Sequence, residues 1–64
     1  MSHKLRNGNV VATKGIVSVS VKEAGIFSFS DVIIITYKNG HIEKQKVHPH
    51  DSWFEKTRLS EYIK

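Results

Sequence analysis

Cysteine is absent from this 64-residue chain, and proline occurs once, at Pro49. Without cysteine the chain has no disulfide framework and no thiolate metal site, which argues against a small secreted scaffold and fits a reducing cytosol. No stretch approaches the roughly 18 unbroken apolar residues of a membrane helix, and the first residues lack the charged-then-apolar layout of a signal peptide. We therefore expect a soluble, cytoplasmic protein that does not bind membranes.

Acidic residues are also few. Six aspartates and glutamates stand against ten lysines and arginines, so the formal net charge is +4. A basic excess favours acidic partners, of which nucleic acid is the commonest. The lysines are scattered along the chain and form no basic tail. Solubility alone is an alternative explanation for a net charge of this size.

A chain of this length makes one domain, residues 1–64, with a thin core, because a domain of about 60 residues buries only roughly 60% of its unfolded surface. Residues 1–8 are predicted to be a flexible start, and antiparallel strands are expected across 9–47. Valine and serine alternate within 16–21, which is the period of a half-buried strand with its serines in solvent. Together with turn signals, the pattern predicts three strands before the final hairpin, at 10–13, 16–21 and 26–30.

The clearest local signal is a β-hairpin over residues 31–47. Asn39-Gly40 predicts a type I′ turn, which would place Ile35 opposite Lys44 and Ile33 opposite Lys46. In that register one face combines apolar, aromatic and basic side chains: Ile33, Ile35, Tyr37, Lys44 and Lys46. The other face is also apolar on its first strand, so the hairpin presents two surfaces that a short chain has difficulty covering.

A short helix is predicted over residues 51–63, after Pro49 ends the last strand. Asp51 or Ser52 can cap it, and Ser52 with Glu55 has the spacing of a capping box. A single helical turn followed by a closing strand is the alternative. The tail decides the state of the hairpin: it either covers Ile33 and Ile35 with its own apolar side chains, Trp53, Leu59 and Ile63, or leaves an apolar patch exposed for a partner.

These elements predict a mainly β fold, an SH3-like or other partly open five-stranded barrel or meander with a short carboxy-terminal helix. Ile35-Thr36-Tyr37 ahead of Asn39-Gly40, with a helix from Asp51 onward, resembles the small archaeal chromatin proteins that bind duplex DNA with an SH3-like barrel. The chain departs from that family in two ways: its lysines are less dense, and its tryptophan, Trp53, belongs to the tail and not to the sheet. No functional residue is therefore transferred from the family.

The function predicted from these features is nucleic-acid binding by a small basic module. Lysines on a sheet face neutralise phosphates while apolar side chains contact sugars, and a tyrosine can stack on a base. The residues predicted to contact nucleic acid are Lys44, Lys46, Tyr37, Lys38, Lys14, Lys22 and Arg58.

Protein binding is the alternative, because a second protein can cover a strand that is apolar on both faces. The predicted partner interface is Ile33, Ile35 and Tyr37. Such a module would be a homodimer or a small adaptor or inhibitor of the phage or prophage type.

Metal binding and catalysis are not expected. His48-Pro49-His50-Asp51 places two imidazoles and a carboxylate together, but a structural metal site needs four ligands with supporting partners. Asp51 and Glu55 are suited to a helix amino terminus and not to acid–base chemistry. We expect no enzyme activity and no cofactor, since one small domain offers little room for a pocket.

Overall fold

Five strands precede one helix in the computed structural model, which describes residues 2–23, 25 and 29–63. The elements are β1 (Ser2–Lys4), β2 (Val10–Ala12), β3 (Ile16–Lys22), β4 (Asp31–Tyr37), β5 (Ile42–Val47) and α1 (Pro49–Ser60). The prediction of a mainly β protein with a carboxy-terminal helix is confirmed. No helix in this part of the chain is long and apolar enough to cross a membrane.

The strands form two antiparallel sheets. One pairs β1 with β2, and the other has the order β3-β4-β5; the described strands do not close into a barrel. Within the predicted flexible start over residues 1–8, Ser2–Lys4 forms a strand that pairs with Val10–Ala12. Of the strand predicted at 26–30, residues 26–28 lie outside the described residues, and residues 29 and 30 form a bend.

The predicted register of the β4–β5 hairpin is wrong by one residue. Ile35 pairs with Glu43 and Ile34 with Lys44, where the prediction placed Lys44 opposite Ile35. The physical reason lies in the turn: Gly40 alone has a positive φ, of 91°, whereas a type I′ turn requires two. The Gly40 N–H donates to the Tyr37 carbonyl at 3.0 Å and the Tyr37 N–H to the His41 carbonyl at 2.9 Å. This is a three-residue loop with a glycine bulge.

Pairing between β3 and β4 fixes the faces of the whole sheet. Val19 lies opposite Ile35 and Ser20 opposite Ile34, and a bulge at Val17 shifts the register after Ile16. Residues directly opposite each other in an antiparallel pair share a face. The two ladders therefore place Val19, Ile35 and Glu43 on one side of the sheet, with Ser20, Ile34 and Lys44 on the other.

Helix α1 begins two residues before the predicted helix and ends three before it. His48 is its N-cap: the ring Nδ1 accepts a hydrogen bond from the His50 N–H at 3.1 Å, and Pro49 occupies the first turn, where its missing N–H is harmless. The predicted capping box does not form. Ser52 instead donates to the Pro49 carbonyl at 3.0 Å, and Glu55 is buried against the loop after β1.

The core lies between the three-stranded sheet, α1 and the β1–β2 sheet. It contains nine buried side chains: Leu5, Val11, Ile16, Val19, Ile33, Ile35, Tyr37, Val47 and Leu59. Ile33 and Ile35 are 0% exposed, so the tail covers the hairpin, but Leu59 is the tail residue buried there. Trp53, by contrast, is 61% exposed and Ile63 is 37% exposed. One face of the three-stranded sheet is thus internal to the domain.

Candidate nucleic-acid interface

The opposite face of the three-stranded sheet is not covered by any described element. We call it the open face; it consists of Ser18, Ser20, Lys22, Val32, Ile34, Thr36, Ile42, Lys44 and Lys46. The registers arrange these nine residues in three rows across the strands: Ser18–Thr36–Ile42, Ser20–Ile34–Lys44 and Lys22–Val32–Lys46. The six residues on β3 and β5 are exposed, and the three on β4 are half-buried.

The charge of the open face has one sign. Lys22, Lys44 and Lys46 are its charged residues, and all three are exposed. The carboxylates of the described chain lie elsewhere: Glu23 follows β3, Asp31 and Glu43 belong to the covered face, and the others lie on or just after α1, at Asp51, Glu55 and Glu61. Because no carboxylate neutralises the lysines on their own face, their positive potential adds up there.

The spacing of the three lysines follows from strand geometry. Lys44 and Lys46 are two residues apart on β5, which corresponds to roughly 7 Å along the strand. Lys22 and Lys46 end the same row, two strand spacings or about 10 Å apart. The lysines therefore form a triangle at one end of the open face, with Val32 between Lys22 and Lys46 and Ile34 beside Lys44; Ile42 lies farther along β5 with 53% of its surface exposed.

The predicted nucleic-acid residues do not come together as one surface. Lys22, Lys44 and Lys46 share the open face, whereas Tyr37 lies on the covered face and is buried. The prediction that Tyr37 stands beside Lys44 and Lys46 is wrong, because it depended on the slipped register. The predicted interface of Ile33, Ile35 and Tyr37 likewise lies in the core, with almost no surface accessible.

A second group of predicted residues lines an open cleft between β2 and the β4–β5 turn. Lys14, Lys38 and Tyr37 contribute to the walls of this cleft, whose volume is about 360 Å³. A backbone hydrogen bond joins the β4–β5 turn to the turn before β3 at this cleft: the Lys38 N–H donates to the Gly15 carbonyl at 2.8 Å. These two lysines are therefore neighbours, but they lie away from the open face.

Tyr37 has a structural role in this cleft. Its hydroxyl donates to the Ala12 carbonyl at 2.6 Å and so joins β4 to β2. Burial raises the pKa of the Tyr37 phenol above its ordinary 10.0, and the nearby charge of Glu43 raises it further. The phenol therefore stays protonated at neutral pH, and its hydroxyl is occupied as a donor.

A chain of polar side chains runs along the covered side of β5. Asn9 donates to the Gln45 side chain at 2.8 Å, and Gln45 donates to Glu43 at 2.9 Å. His41 Nε2 lies 3.1 Å from the other Glu43 oxygen. These hydrogen bonds, from His41 first and Gln45 second, lower the pKa of the Glu43 carboxyl.

Arg58, the remaining predicted contact, lies on α1 and hence on the side of the sheet away from the open face. Its guanidinium is 5.3 Å from the Phe54 ring centroid, and that of Arg6 is 4.8 Å from the same ring. Lys56 lies 4.7 Å from the centre of the exposed Trp53 ring. The aromatic residues accessible on α1 are thus each paired with a cation of the same domain.

The histidines form no metal cluster. The rings of His48 and His50 stack with centroids 4.9 Å apart, and His48 uses Nδ1 to cap α1. Across the described ranges, no three histidine or acidic side chains are placed to hold a metal ion.

Comparison with protein-family models, curated proteins and solved structures finds no match.

Proposed function

We propose that this chain binds nucleic acid, duplex DNA in particular, through the open face. The observation that supports the proposal is the triangle of Lys22, Lys44 and Lys46 on an uncovered sheet face that carries no carboxylate. Lysine ammonium groups neutralise phosphates and release the counterions condensed on DNA, which supplies most of the affinity of non-specific binding.

A duplex fits this surface better than a single strand. Proteins that bind single strands stack bases on exposed aromatic side chains, and none of the nine residues of the open face is aromatic. Its apolar residues, Val32, Ile34 and Ile42, are suited to sugars and to the walls of a groove. Contacts of this kind position a protein on DNA without reading its sequence.

We also propose that the fold is an open SH3-like barrel. The β1–β2 sheet shares the core of the three-stranded sheet through Leu5 and Val11. Two small antiparallel sheets around one core, followed by a helix, are compatible with an open SH3-like barrel. In that arrangement the open face is the outer surface of the barrel.

The test measures the affinity for a short DNA duplex by fluorescence anisotropy at several salt concentrations. Three lysine–phosphate contacts predict that the logarithm of the binding constant falls with the logarithm of salt with a slope of about −3. The triple variant K22Q/K44Q/K46Q removes the lysines of the open face and should abolish most of this slope.

The matched control is K4Q/K14Q/K38Q. It removes three lysines that lie off the open face and lowers the formal net charge by the same three units, from +4 to +1. The control should keep the slope of the unmodified chain. Absence of binding at low salt, or an equal loss of slope in both variants, contradicts the proposal.

A second candidate function, protein binding, is favoured by one observation. The outer edge of β3 has no strand beside it in the described part of the chain.

A further inference from the structure

The two edges of the three-stranded sheet differ in how they are protected. At the β5 edge, Asn7 donates its side-chain amide to the Lys46 carbonyl at 2.7 Å, and three of the six β5 residues are charged. Charges and covering loops are the usual protection against edge-to-edge pairing. This edge is therefore occupied and poorly suited to another strand.

The β3 edge has one protective feature, the bulge at Val17, and in the described part of the chain it lacks the mid-strand charges and the covering loop of the β5 edge. β3 spans seven residues, IVSVSVK, with no proline and with its single charge at the last position, Lys22. No described strand pairs with its outer side, and the bulge residue Val17 is 51% exposed. An edge strand of this length presents unpaired N–H and C=O groups that can form a ladder with another strand.

The sequence of this edge is self-complementary. Val17-Ser18-Val19-Ser20-Val21 reads the same in both directions, so a second copy can pair with it in antiparallel orientation about a two-fold axis at Val19. Ser18 then lies opposite Ser20 of the second copy, and Val17 opposite Val21. Each position thus meets a side chain of its own polarity.

We propose that two copies of this chain form a homodimer by antiparallel pairing of their β3 edges, which joins their sheets into one six-stranded sheet. The proposal commits to a second copy because symmetric pairing matches every position of the five-residue palindrome with a like residue. A heterologous strand would have to supply the same alternation by chance.

The two-fold axis is perpendicular to the sheet, since opposite residues of an antiparallel pair share a face. Both open faces therefore lie on the same side of the dimer, and both copies of α1 on the other. If the nucleic-acid proposal also holds, six lysines form one surface. The dimer itself does not depend on that proposal, and its test contains no nucleic acid.

The first test is sedimentation equilibrium over a wide range of protein concentration. The mass should rise from 7.3 kDa toward twice that value as the concentration increases. S18K/S20K places like charges opposite each other at two symmetric positions and should raise the dissociation constant about tenfold.

S18K/S20E is the matched control, because the proposed register places each new ammonium opposite a new carboxylate of the second copy. This variant should dimerise at least as well as the unmodified chain. Both serines are exposed, so neither variant removes a core contact. A mass of 7.3 kDa at every concentration, or equal dimerisation of the two double variants, overturns the proposal.

The second test determines the register by disulfide formation, which is unambiguous because the chain has no cysteine of its own. Directly opposite residues have Cα atoms about 4.5–5.5 Å apart, within the range that a disulfide spans. An equimolar mixture of S18C and S20C chains should form the mixed disulfide dimer on mild oxidation. Either variant alone should cross-link much less, because identical positions are two residues out of register. Equal cross-linking in all three samples contradicts the symmetric pairing at Val19.

Discussion

The two faces of the three-stranded sheet are built from the same three strands and have opposite roles. On the covered face, Ile33 and Ile35 are completely buried, under α1 and in one core cluster with Leu5 and Val11. On the open face, Ile34 lies between them in sequence yet remains partly exposed beside Lys44. Neighbouring isoleucines of one strand therefore belong to the core and to the surface, respectively.

What separates the faces is a single residue in the β4–β5 turn. A two-residue turn would place Lys44 opposite Ile35, and the observed three-residue loop places it opposite Ile34. Because side chains alternate along a strand, a shift of one residue moves a whole set of side chains to the other face. The loop thus keeps both β5 lysines out of the core and on the open face.

The largest expected effect distinguishes the two faces by stability. I35A removes a completely buried side chain and should lower the free energy of unfolding by about 2–5 kcal/mol. I34A makes the same chemical change one residue away and should lower it by about 1 kcal/mol, because its side chain is already partly exposed. Urea denaturation of both variants measures the difference. Equal losses of stability in the two variants would show that the two faces do not differ in burial as described.

The next largest effect concerns Glu55, which attaches α1 to the loop after β1. Glu55 of α1 is buried, accepts a hydrogen bond from the Arg6 N–H at 2.9 Å, and lies 3.5 Å from His3 Nε2. E55A leaves that N–H without its acceptor and should destabilise the fold by about 1–3 kcal/mol.

Two variants make the Glu55 prediction specific. E55Q keeps a side-chain acceptor and should recover part of the loss, whereas E61A changes an exposed carboxylate after the same helix and should have little effect. Thermal denaturation of the three proteins ranks them. Equal stability of E55A and E61A would show that Glu55 does not fasten the helix.

A smaller effect is expected for the bond that ties β2 to β4. Y37F removes the hydroxyl that donates to the Ala12 carbonyl and should lower the free energy of unfolding by about 0.5–1.5 kcal/mol. Because the pKa of Tyr37 is raised in the folded state, its contribution is fully present below pH 10.0 and is lost as the pH rises through the folded pKa. The stability difference between the unmodified chain and Y37F should therefore shrink above pH 10.0. A difference that stays constant there would contradict the assigned environment of the phenol.

The smallest effect concerns the rim of the covered face. Hydrogen bonds from His41 and Gln45 hold the pKa of Glu43 below its ordinary 4.5, so this contribution to stability is present above pH 4.5 and is lost as the pH falls through the folded pKa. H41N should move the Glu43 carboxyl pKa back toward 4.5 in an NMR titration. An unchanged midpoint would show that His41 does not act on Glu43.

Local elements of this fold were predictable from sequence, because their signals are local. Valine–serine alternation gave β3, the apolar run before Asn39-Gly40 gave β4, and Pro49 marked the boundary between β5 and α1. The beginning of the chain was not predicted, since residues 2–4 become a strand through pairing with β2 and have no periodic pattern of their own.

The register was not predicted because two turn types share the letters Asn-Gly and differ by one residue. A signal was nevertheless present. Ile33, Ile35 and Tyr37 make the more apolar face of β4, so that face is the better candidate for the core, where lysine is almost never fully buried. This argument assigns Lys44 and Lys46 to the other face and yields the observed register.

The composition of the open face was therefore only partly predictable. Lys22, Lys44 and Lys46 were each predicted to contact nucleic acid. Which apolar residues share their face, namely Val32, Ile34 and Ile42, depends on the register. The strand order β3-β4-β5, which leaves the β3 edge free in the described part of the chain, depends on tertiary packing that no local pattern encodes.

The most direct test of the central claim is an NMR titration of the labelled protein with a short DNA duplex. The account predicts that backbone amide shifts change on the open face, centred on Lys22, Ile34, Lys44 and Lys46, while α1 and the cleft around Tyr37 change little. Shifts centred on Lys14 and Lys38 or on Arg58, or no shifts at low salt, would contradict it.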